Sequence, residues 1–515
     1  MSYMISAPSL LPRSNGNRWL FLSVLALLLS SCALFRPADA DKKKEQARKE
    51  EKKKEEKIAK KEEELLLDPV PGKKVYDPET GTLVIVDQTP VESMDTIRWR
   101  EVPYDSIPPI QSSKATAAEE SVRGNASELT GRGEFGTEFY SSYNVALILP
   151  FLTNNYDPDR GAIPENATWA LQFYGGVRMA FEELENEGIK LNVTVMDSKA
   201  DQRQVGQLLT SRDDVFKSHL IIGPYRPDNV EMVANFARRS GKTFVSPHSA
   251  ASDISGNNPN YVQVSPTLES HCRAITRHVR KRFRPEQVIL VCRDKDAEKA
   301  RFGYFQEENF RIEGVRHDSV AFREYVVKEE SAGFQNINLA SYLPHGDTAV
   351  FILPSWSNET FVYSFLSRLK LARQADNYVE VYGMPQWQRY ERIDYDLYED
   401  LNVHVSSDSY IDPYQQDIQF FRSRFFDRYG LPPNDEAFLG HDVMLYFGRM
   451  LHKYGTKFQY AFEKDPQKML HTRFEFERVV QPSRIYGREN APIERFENKF
   501  VNILKFEDYQ FQPDY

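Results

Sequence analysis

The 515-residue sequence predicts an α/β protein: two doubly wound parallel-sheet lobes, preceded by a charged helical stalk and a short β-containing linker. Three observations predict it. After Tyr143, short aliphatic runs alternate with amphipathic stretches, the rhythm of a parallel sheet covered on both faces. That rhythm runs through two successive series, which asks for two lobes. Ahead of them lie a run of mixed charges and a proline-rich stretch, neither with the apolar pattern of a core.

At the N-terminus, Arg13 and Arg18 precede the apolar stretch Trp19 to Leu29, and small residues lead to Cys32. This is the order of a secretory signal. The apolar core is shorter than the ~20 residues a membrane-spanning helix needs. Leu29-Ser30-Ser31-Cys32 resembles the lipobox of bacterial lipoproteins. The resemblance implies that residues 1–31 are a signal peptide cut before Cys32, whose thiol and new amine are acylated. Each buried methylene contributes ~0.8 kcal/mol, so three acyl chains would hold the chain firmly to a membrane. Ala33 follows, not the aspartate that retains many such proteins at an inner membrane, which favours a periplasmic, outer-membrane-anchored location.

Residues 32–67 form the lipidated terminus and stalk, almost entirely Lys, Arg, Glu and Gln from Asp41 to Glu64. Glu45 with Lys49 and Glu50 with Lys54 support a helix, while Lys49 with Lys53 opposes it. Only Ala47, Ile58 and Ala59 are apolar before Leu65, so no heptad seam exists and a coiled coil gives way to a solvated, partly helical stalk. Residues 68–140 read as linker with prolines at 69, 71, 78, 90, 103, 108 and 109. Within it, "KVYDPETGTLVIVDQ" has two alternating apolar runs around Pro78-Glu79-Thr80-Gly81, a hairpin signal, and "DTIRWREV" offers a further strand. Asp95-Thr96-Ile97 and Asp105-Ser106-Ile107 look like the short O-glycosylation motif of Bacteroidetes periplasmic proteins.

In the body, "NVALILP", "LNVTVMDS", "HLIIGP" and "KTFVSP" are the strands of the first series. The intervening "TWALQFYGGVRMAFEELENEG" places Leu171, Ala180, Phe181 and Leu184 at helical spacing. "QVILVCRD", "TAVFILPS" and "YVEVYGMP" are the strands of the second, with "NVHVSSDSY" following. Composition suits an exported soluble body: hydrophobic residues are 41%, the formal charge is −9, and 59.7 kDa holds more than one domain's core. A mild negative balance argues against a nucleic-acid partner. Besides Cys32 only Cys272 and Cys292 remain; buried free thiols are the default and a disulfide the alternative.

"NVALILPF", "HLIIGPYRPDNVEMVANFARRSGKTFVSPHSAAS", "YVQVSPT", "FFDRYGLPPNDEAFLGHDVMLYFGRML" and the closing "ENKFVNILKFED" follow in order the pattern of type I periplasmic binding proteins. Those are the Venus-flytrap receptors of the leucine/isoleucine/valine-binding class, and the likeness is strongest to a Bacteroidetes lipoprotein branch. The resemblance implies crossings between lobes near Ser265, near Ser406 and after Gly455. Lobe 1 is then 143–264 plus 406–455, and lobe 2 is 265–405 plus 456–515.

Ligands of open parallel sheets meet the loops beyond the strands' carboxyl ends. The first lobe would offer Phe151 and Thr153, Tyr225 and Arg226, then Ser246, His248, Ser249 and Ala250. The second would offer Asp294, Ser355 and Trp356, with Pro385 and Trp387. A helix start after "SPHSA" would present amides to a carboxylate. In the family, the loops matching Ser246 to Ala250 and Gly223 to Arg226 hold the ligand's carboxylate and amine. Tyr225, Arg226 and His248 stand where small or hydroxyl residues are usual, and "RDKDAEKARFGYF" replaces a Tyr-Gly pair, so an amino-acid ligand does not carry over residue by residue. Arg226 can serve an anion, or simply pair with Asp228 or the neighbouring lobe. Trp356 and Trp387 can stack on a ring or pack the sheet edge.

No enzyme motif stands out. Ser246 and His248 lie two apart on a turn, and His441-Asp442, at the start of a predicted helix, reads as structural. His271 and His278, with Arg273, Arg277 and Arg280, read as the solvated face of a basic helix; a metal would want a further ligand. Phosphate-cradling loops, HExxH and CxxC are absent from the sequence, so no cofactor, metal or catalytic residue is assigned. The expectation is a lipid-tethered protein capturing a small polar solute, amino-acid-like or another small anion, for transport or sensing with a permease. The alternative is an envelope scaffold or regulator of cell-wall synthesis that kept the fold without a ligand.

Overall fold

The computed structural model describes residues 73–77, 82–86, 127–157, 163–314, 320–328, 334, 337–481 and 491–514. The signal segment, Cys32, the stalk, the "DTIRWREV" strand and both glycosylation-like motifs lie outside the described residues. The chain divides into two units, Met1–Ser112 and Ser113–Tyr515. In the first, β1 (Lys73–Asp77) and β2 (Thr82–Val86) pair antiparallel with Asp77 opposite Thr82, the pairing that the hairpin signal predicts; Pro78 to Gly81 lie outside the described residues.

In the second unit, β3 (Leu129–Arg132) and β4 (Glu138–Tyr140) form a small antiparallel ribbon. Thr137 Oγ1 donates to Tyr454 O at 2.9 Å and Phe135 stacks on Tyr460, so residues 127–140 belong to the folded body and not to the linker. The chain then lays down β5 (Tyr143–Leu149), α1 (Thr168–Asn186), β6 (Leu191–Asp197), α2 (Gln202–Ser211), α3 (Asp213–Lys217), β7 (Leu220–Ile222), α4 (Pro227–Ser240), β8 (Thr243–Ser246) and β9 (Tyr261–Gln263). These five strands are parallel, and their aliphatic runs are continuous because both faces are covered. Along β5, Val145, Leu147 and Leu149 point into one core while Ala146 and Ile148 point into the other.

After β9 the chain crosses into the second lobe. There it forms α5 (Leu268–Arg282), β10 (Val288–Arg293), α6 (Asp296–Lys299), α7 (Phe302–Glu313), β11 (Arg323–Val327), β12 (Thr348–Ile352), α8 (Glu359–Ala372), β13 (Tyr378–Gly383), α9 (Tyr395–Asp400) and β14 (Val403–Ser407). It then returns to add α10 (Gln416–Tyr429) and α11 (Asp435–Tyr454) to the first lobe. Gly176 and Gly440 make that docking possible. A Cβ on Gly176 would meet Ala437 O at 1.8 Å, and one on Gly440 would meet Phe173 O at 2.0 Å, so α1 and α11 touch backbone to backbone.

The expected last crossing after Gly455 is displaced. Residues 456–498 stay with the first lobe: a 3-10 stretch, the short pair β15 (Gln467–Lys468) and β16 (Arg473–Phe474), then β17 (Phe476–Val480) and β18 (Ile493–Asn498). The first sheet therefore runs β17-β18-β9-β8-β7-β5-β6. Only β19 (Asn502–Glu507) and β20 (Gln510–Pro513) join the second sheet, as antiparallel additions to β14. That sheet runs β11-β10-β12-β13-β14-β19-β20. Lobe 2 thus takes residues after Asn498, not 456–515. A hairpin added to a sheet edge carries no strand–helix rhythm, so periodicity did not mark it.

Cys272 on α5 and Cys292 on β10 are free and buried, and burial pushes both thiols up, Cys292 to about 12. They act as small apolar residues. Among the described residues no helix is long and apolar enough to cross a membrane.

Candidate functional site

Three crossings join the lobes, and a cavity of 160 Å³ lies where they converge. Val264 and Ser265 come from the first, Asp408 and Ser409 from the second, and Asn498 from the third. The first lobe adds His248 beyond β8 and the opening turns of α11, with Asp435, Glu436 and Leu439. Arg389 faces them from the second lobe, and His471 and Thr472 close the set from the turn between β15 and β16.

Local sequence explains why the acids stand there. Asn434 caps α11, its side chain accepting from Glu436 N and Ala437 N, and acids in a first turn are favoured by the helix dipole. Asp408 lies just past the carboxyl end of β14, and its carbonyl accepts from Thr472 Oγ1 at 2.6 Å. His248 Nε2 sits 2.9 Å from Glu436 Oε2 and packs edge-on to Trp169, which also meets Tyr225 edge-on, both at 4.9 Å between centroids. Arg389 stands 4.0 Å from Asp435 across the lobes, with both side chains exposed. Among the described residues the cavity is thus lined by three carboxylates and one guanidinium, of which Asp435 alone comes within 4.0 Å of Arg389 while Glu436 meets His248.

Two buried networks hold the hinge. Glu497 Oε1 accepts from Thr267 N at 3.0 Å, Thr267 Oγ1 at 2.8 Å and Ser270 Oγ at 2.6 Å, while Oε2 accepts from Arg495 at 2.7 Å. Burial works against its charge, but Lys499 and Arg495 outweigh that and hold it at about 2. This ties the third crossing to the start of α5. In the other network, Asp442 Oδ2 accepts from His471 N at 2.9 Å and meets His471 Nδ1 at 2.5 Å, and His471 O accepts from Tyr410 N at 2.7 Å. His441 meets Asp442 Oδ1 at 3.0 Å and Glu183 Oε1 at 3.2 Å. Burial lowers its affinity for a proton, but those two carboxylates win and raise it to about 9.

Of the residues picked from sequence, His248 lines the cavity. Tyr225, 37% exposed, stands beside it through Trp169. Thr153 is exposed, with its N and Oγ1 both on Asp197. Arg226 Nη1 donates to Ala200 O at 3.0 Å and forms no ion pair with Asp228. Asp294 pairs with Lys299 at 3.0 Å. Ser249 is buried and Ala250 half-buried.

Several picks fail for steric reasons. Ser246 and Ser355 are buried, and Trp387 is fully buried in the second core, its Nε1 donating to Ser355 O at 3.1 Å. None of the three can touch a solute in this conformation. Trp356 is half-buried against that core and edge-on to His271. No helix follows Ser246 to Ala250; turns lead straight to β9, so the expected amide donors for a carboxylate are missing there. The basic α5 is not a solvated face either: His271 and His278 are buried, and Arg273 and Arg277 clamp the buried Glu308.

Sequence reasoning missed Trp169, Arg389, Asp408, Asp435, Glu436 and His471. The signals for Asp408 and for the Asn-Asp-Glu helix start were present: one is the strand-end rule, applied to the other strands but not to β14, and the other is a capping pattern. Nothing local marks Arg389 or His471. Among the described residues, no group of His, Cys, Asp or Glu is placed to hold a metal ion.

Residues 173–455 match the family described as the receptor family ligand binding region. That is more than half of the chain, and the chain belongs to this family. A solved structure from Rhodospirillum rubrum, assigned to branched-chain amino acid ABC transport, is similar at a TM-score of 0.53 and 13% identity, covering 72% of this chain and 100% of that one. An ABC transporter substrate-binding protein from Desulfitobacterium hafniense, in complex with Leu, gives 0.46 and 14%, covering 72% and 99%. No curated protein matches the chain. The fold is the α/β architecture of type I periplasmic binding proteins, with two seven-stranded sheets.

Proposed function

We propose that this member of the ligand-binding receptor family is a solute-binding protein that closes its lobes around a small, amino-acid-like solute bearing an ammonium group. One observation carries the reading: at the hinge, three carboxylates face a single guanidinium in a cavity of 160 Å³. An ammonium placed there neutralises charge that the chain leaves uncompensated, while Arg389 and Ser409 remain for a carboxylate or hydroxyl. A simple anion would meet mostly repulsion, so of the two solute classes expected from sequence the amino-acid-like one is retained. The volume lies below the ~300 Å³ at which pockets enclose drug-sized ligands, which favours a solute of few heavy atoms. Because the lining comes from both lobes, such a solute stabilises the closed arrangement by its differential affinity for it.

The same reading places the body behind a lipid on Cys32 at the outer membrane, handing solute to a permease or reporting its presence. Mass spectrometry of the mature N-terminus, with Cys32→Ser as the unacylated control, tests that part.

A thermal-shift screen tests the binding. A ligand at one hundred times its dissociation constant stabilises by about 2.7 kcal/mol. Small amino acids and amines should raise the melting temperature, acetate and benzoate should not, and Asp408→Asn with Glu436→Gln should abolish the response. A flat screen would favour the second reading, a cell-wall scaffold or regulator without a ligand. A second concavity, larger than the hinge cavity, lies on the outside of the first lobe.

A further inference from the structure

That second concavity, of 390 Å³, runs between α1 and α10. Leu171 and Tyr174 of α1 form one wall, Phe425 and Tyr429 of α10 the other, and Leu431, 43% exposed, lies at the rim. Its volume falls in the ~300–1,000 Å³ range of small-molecule pockets. The lining is mostly apolar, and such surface left open to water marks a place where something binds.

The charged groups stand at one end. Arg178 lies one helical turn beyond Tyr174, lines the groove, and has no acidic partner among the described residues. Its neighbours do not supply one. Arg428, also on the groove, and Arg424 share Glu182, the latter at 2.8 Å, and Arg424 takes part of Glu183 at 3.5 Å. Among the described residues, three guanidiniums therefore face two carboxylates, both already engaged. A planar guanidinium offers paired donors that match a carboxylate, and beside apolar walls it is desolvated cheaply compared with an ammonium.

We propose that this groove is a second ligand site, distinct from the cleft, for an amphipathic carboxylate: an aromatic or short-chain aliphatic acid with its body between Tyr174 and Phe425 and its carboxylate on Arg178. The preference is opposite to that of the hinge cavity, which favours a cation. A protein partner is the poorer occupant, because a stable interface covers about 800 Å² on each side and this feature is a narrow concavity between two helices.

Calorimetric titration of the full chain with octanoate, and with octylammonium as the probe of equal length and opposite charge, tests the site. Octanoate should bind and octylammonium should not. Arg178→Met should weaken octanoate at least tenfold while keeping the unligated melting temperature, and Leu171→Glu, which places a like charge in the groove, should do the same. Asp408→Asn in the cleft should leave octanoate affinity unchanged, so loss of one site is distinguishable from loss of the other. Equal binding of the two probes, undiminished octanoate binding by both groove variants, or octanoate affinity that falls with Asp408→Asn would overturn the proposal. So would a dimer in sedimentation that Arg178→Met dissolves, since the groove would then be a protein interface.

Discussion

Each lobe buries two histidines around one aspartate, and one histidine of each pair is shifted, in opposite directions. In the first lobe, Asp442 stands between His441 and His471, and His441 is raised to about 9. In the second, Asp514 Oδ2 lies 2.9 Å from His404 Nε2 and 3.4 Å from His278 Nε2, yet His278 is lowered to about 4. Burial opposes the imidazolium in both places. What differs is who else holds the carboxylate. His404 takes Asp514 at 2.9 Å and Arg282 grips it with two hydrogen bonds, at 2.6 and 2.5 Å, so its charge is divided before His278, at 3.4 Å, can use it. His441 meets two carboxylates, Asp442 and Glu183; among the described residues no guanidinium stands on Asp442, which it shares with His471, and Arg424 reaches Glu183 only at 3.5 Å. A buried histidine's charge is therefore set by how much acid its neighbours leave to it, not by depth alone.

The largest break in this comparison comes from Asp442→Asn. Asp442 is fully buried and anchors His471, whose carbonyl holds Tyr410 beside the second crossing. Removing its charge leaves His441 with Glu183 as its one acid and removes a partner from the loop that lines the cavity. Breaking a buried charged pair costs roughly 3–5 kcal/mol. Urea denaturation should show a loss in that range, with weaker solute binding at the hinge. A loss under about 1 kcal/mol would mean that His441 is not charged in the folded protein.

The second test is pH, and the two clusters should answer at opposite ends. His441 has a folded pKa above its ordinary 6.5, so its contribution is complete below about 6.5 and is lost as pH rises through about 9. His278 has a folded pKa below 6.5, so its contribution is complete above about 6.5 and is lost as pH falls through about 4. At about 1.4 kcal/mol per unit, each end loses roughly 3–4 kcal/mol from these groups. Amide exchange should loosen first around α11 in alkali and around α5 in acid. His219 beside β7 is also lowered to about 4 and loosens its own strand in acid, so the comparison is between the two helices: α11 and α5 loosening together at one end would refute the assignment.

How much of this was legible in sequence divides along the same physical line. The parallel strands were, because a strand buried on both faces is a run of aliphatic residues such as those of β5 and β10, and the pairing of β1 with β2 was, because the signal for it is local in sequence. Strands β17 to β20 were not: β17, β19 and β20 pair antiparallel, β18 joins β9 in parallel, and no helix separates them, so they lack the rhythm. For the site, the strand-end rule led to His248 and, had it been followed to β14, would have led to Asp408. It also selected Ser246, Ser355 and Trp387, because being at the end of a strand does not decide whether a side chain points into solvent or core. His441 and His471 are far apart in sequence, and only the packing of α11 against residues 469–472 brings them to one aspartate.

The smallest effect is the sharpest test. Arg282→Met keeps the stem of a side chain that is 38% exposed and removes only the guanidinium from Asp514. The stability change should stay below about 1 kcal/mol, as for other solvent-screened pairs. What should move is the titration of His278. With Arg282 gone, a positive neighbour that disfavours the imidazolium is lost and the Asp514 carboxylate is released, so the ring should take its proton at a higher pH than about 4. Burial remains and limits the rise. Following the His278 Cε1 proton by NMR across pH 3 to 8, in the wild type and the variant, separates the two causes. An upward shift means that competition for the acid sets the charge; an unchanged midpoint means that burial does, and the contrast between the lobes would then need a different explanation.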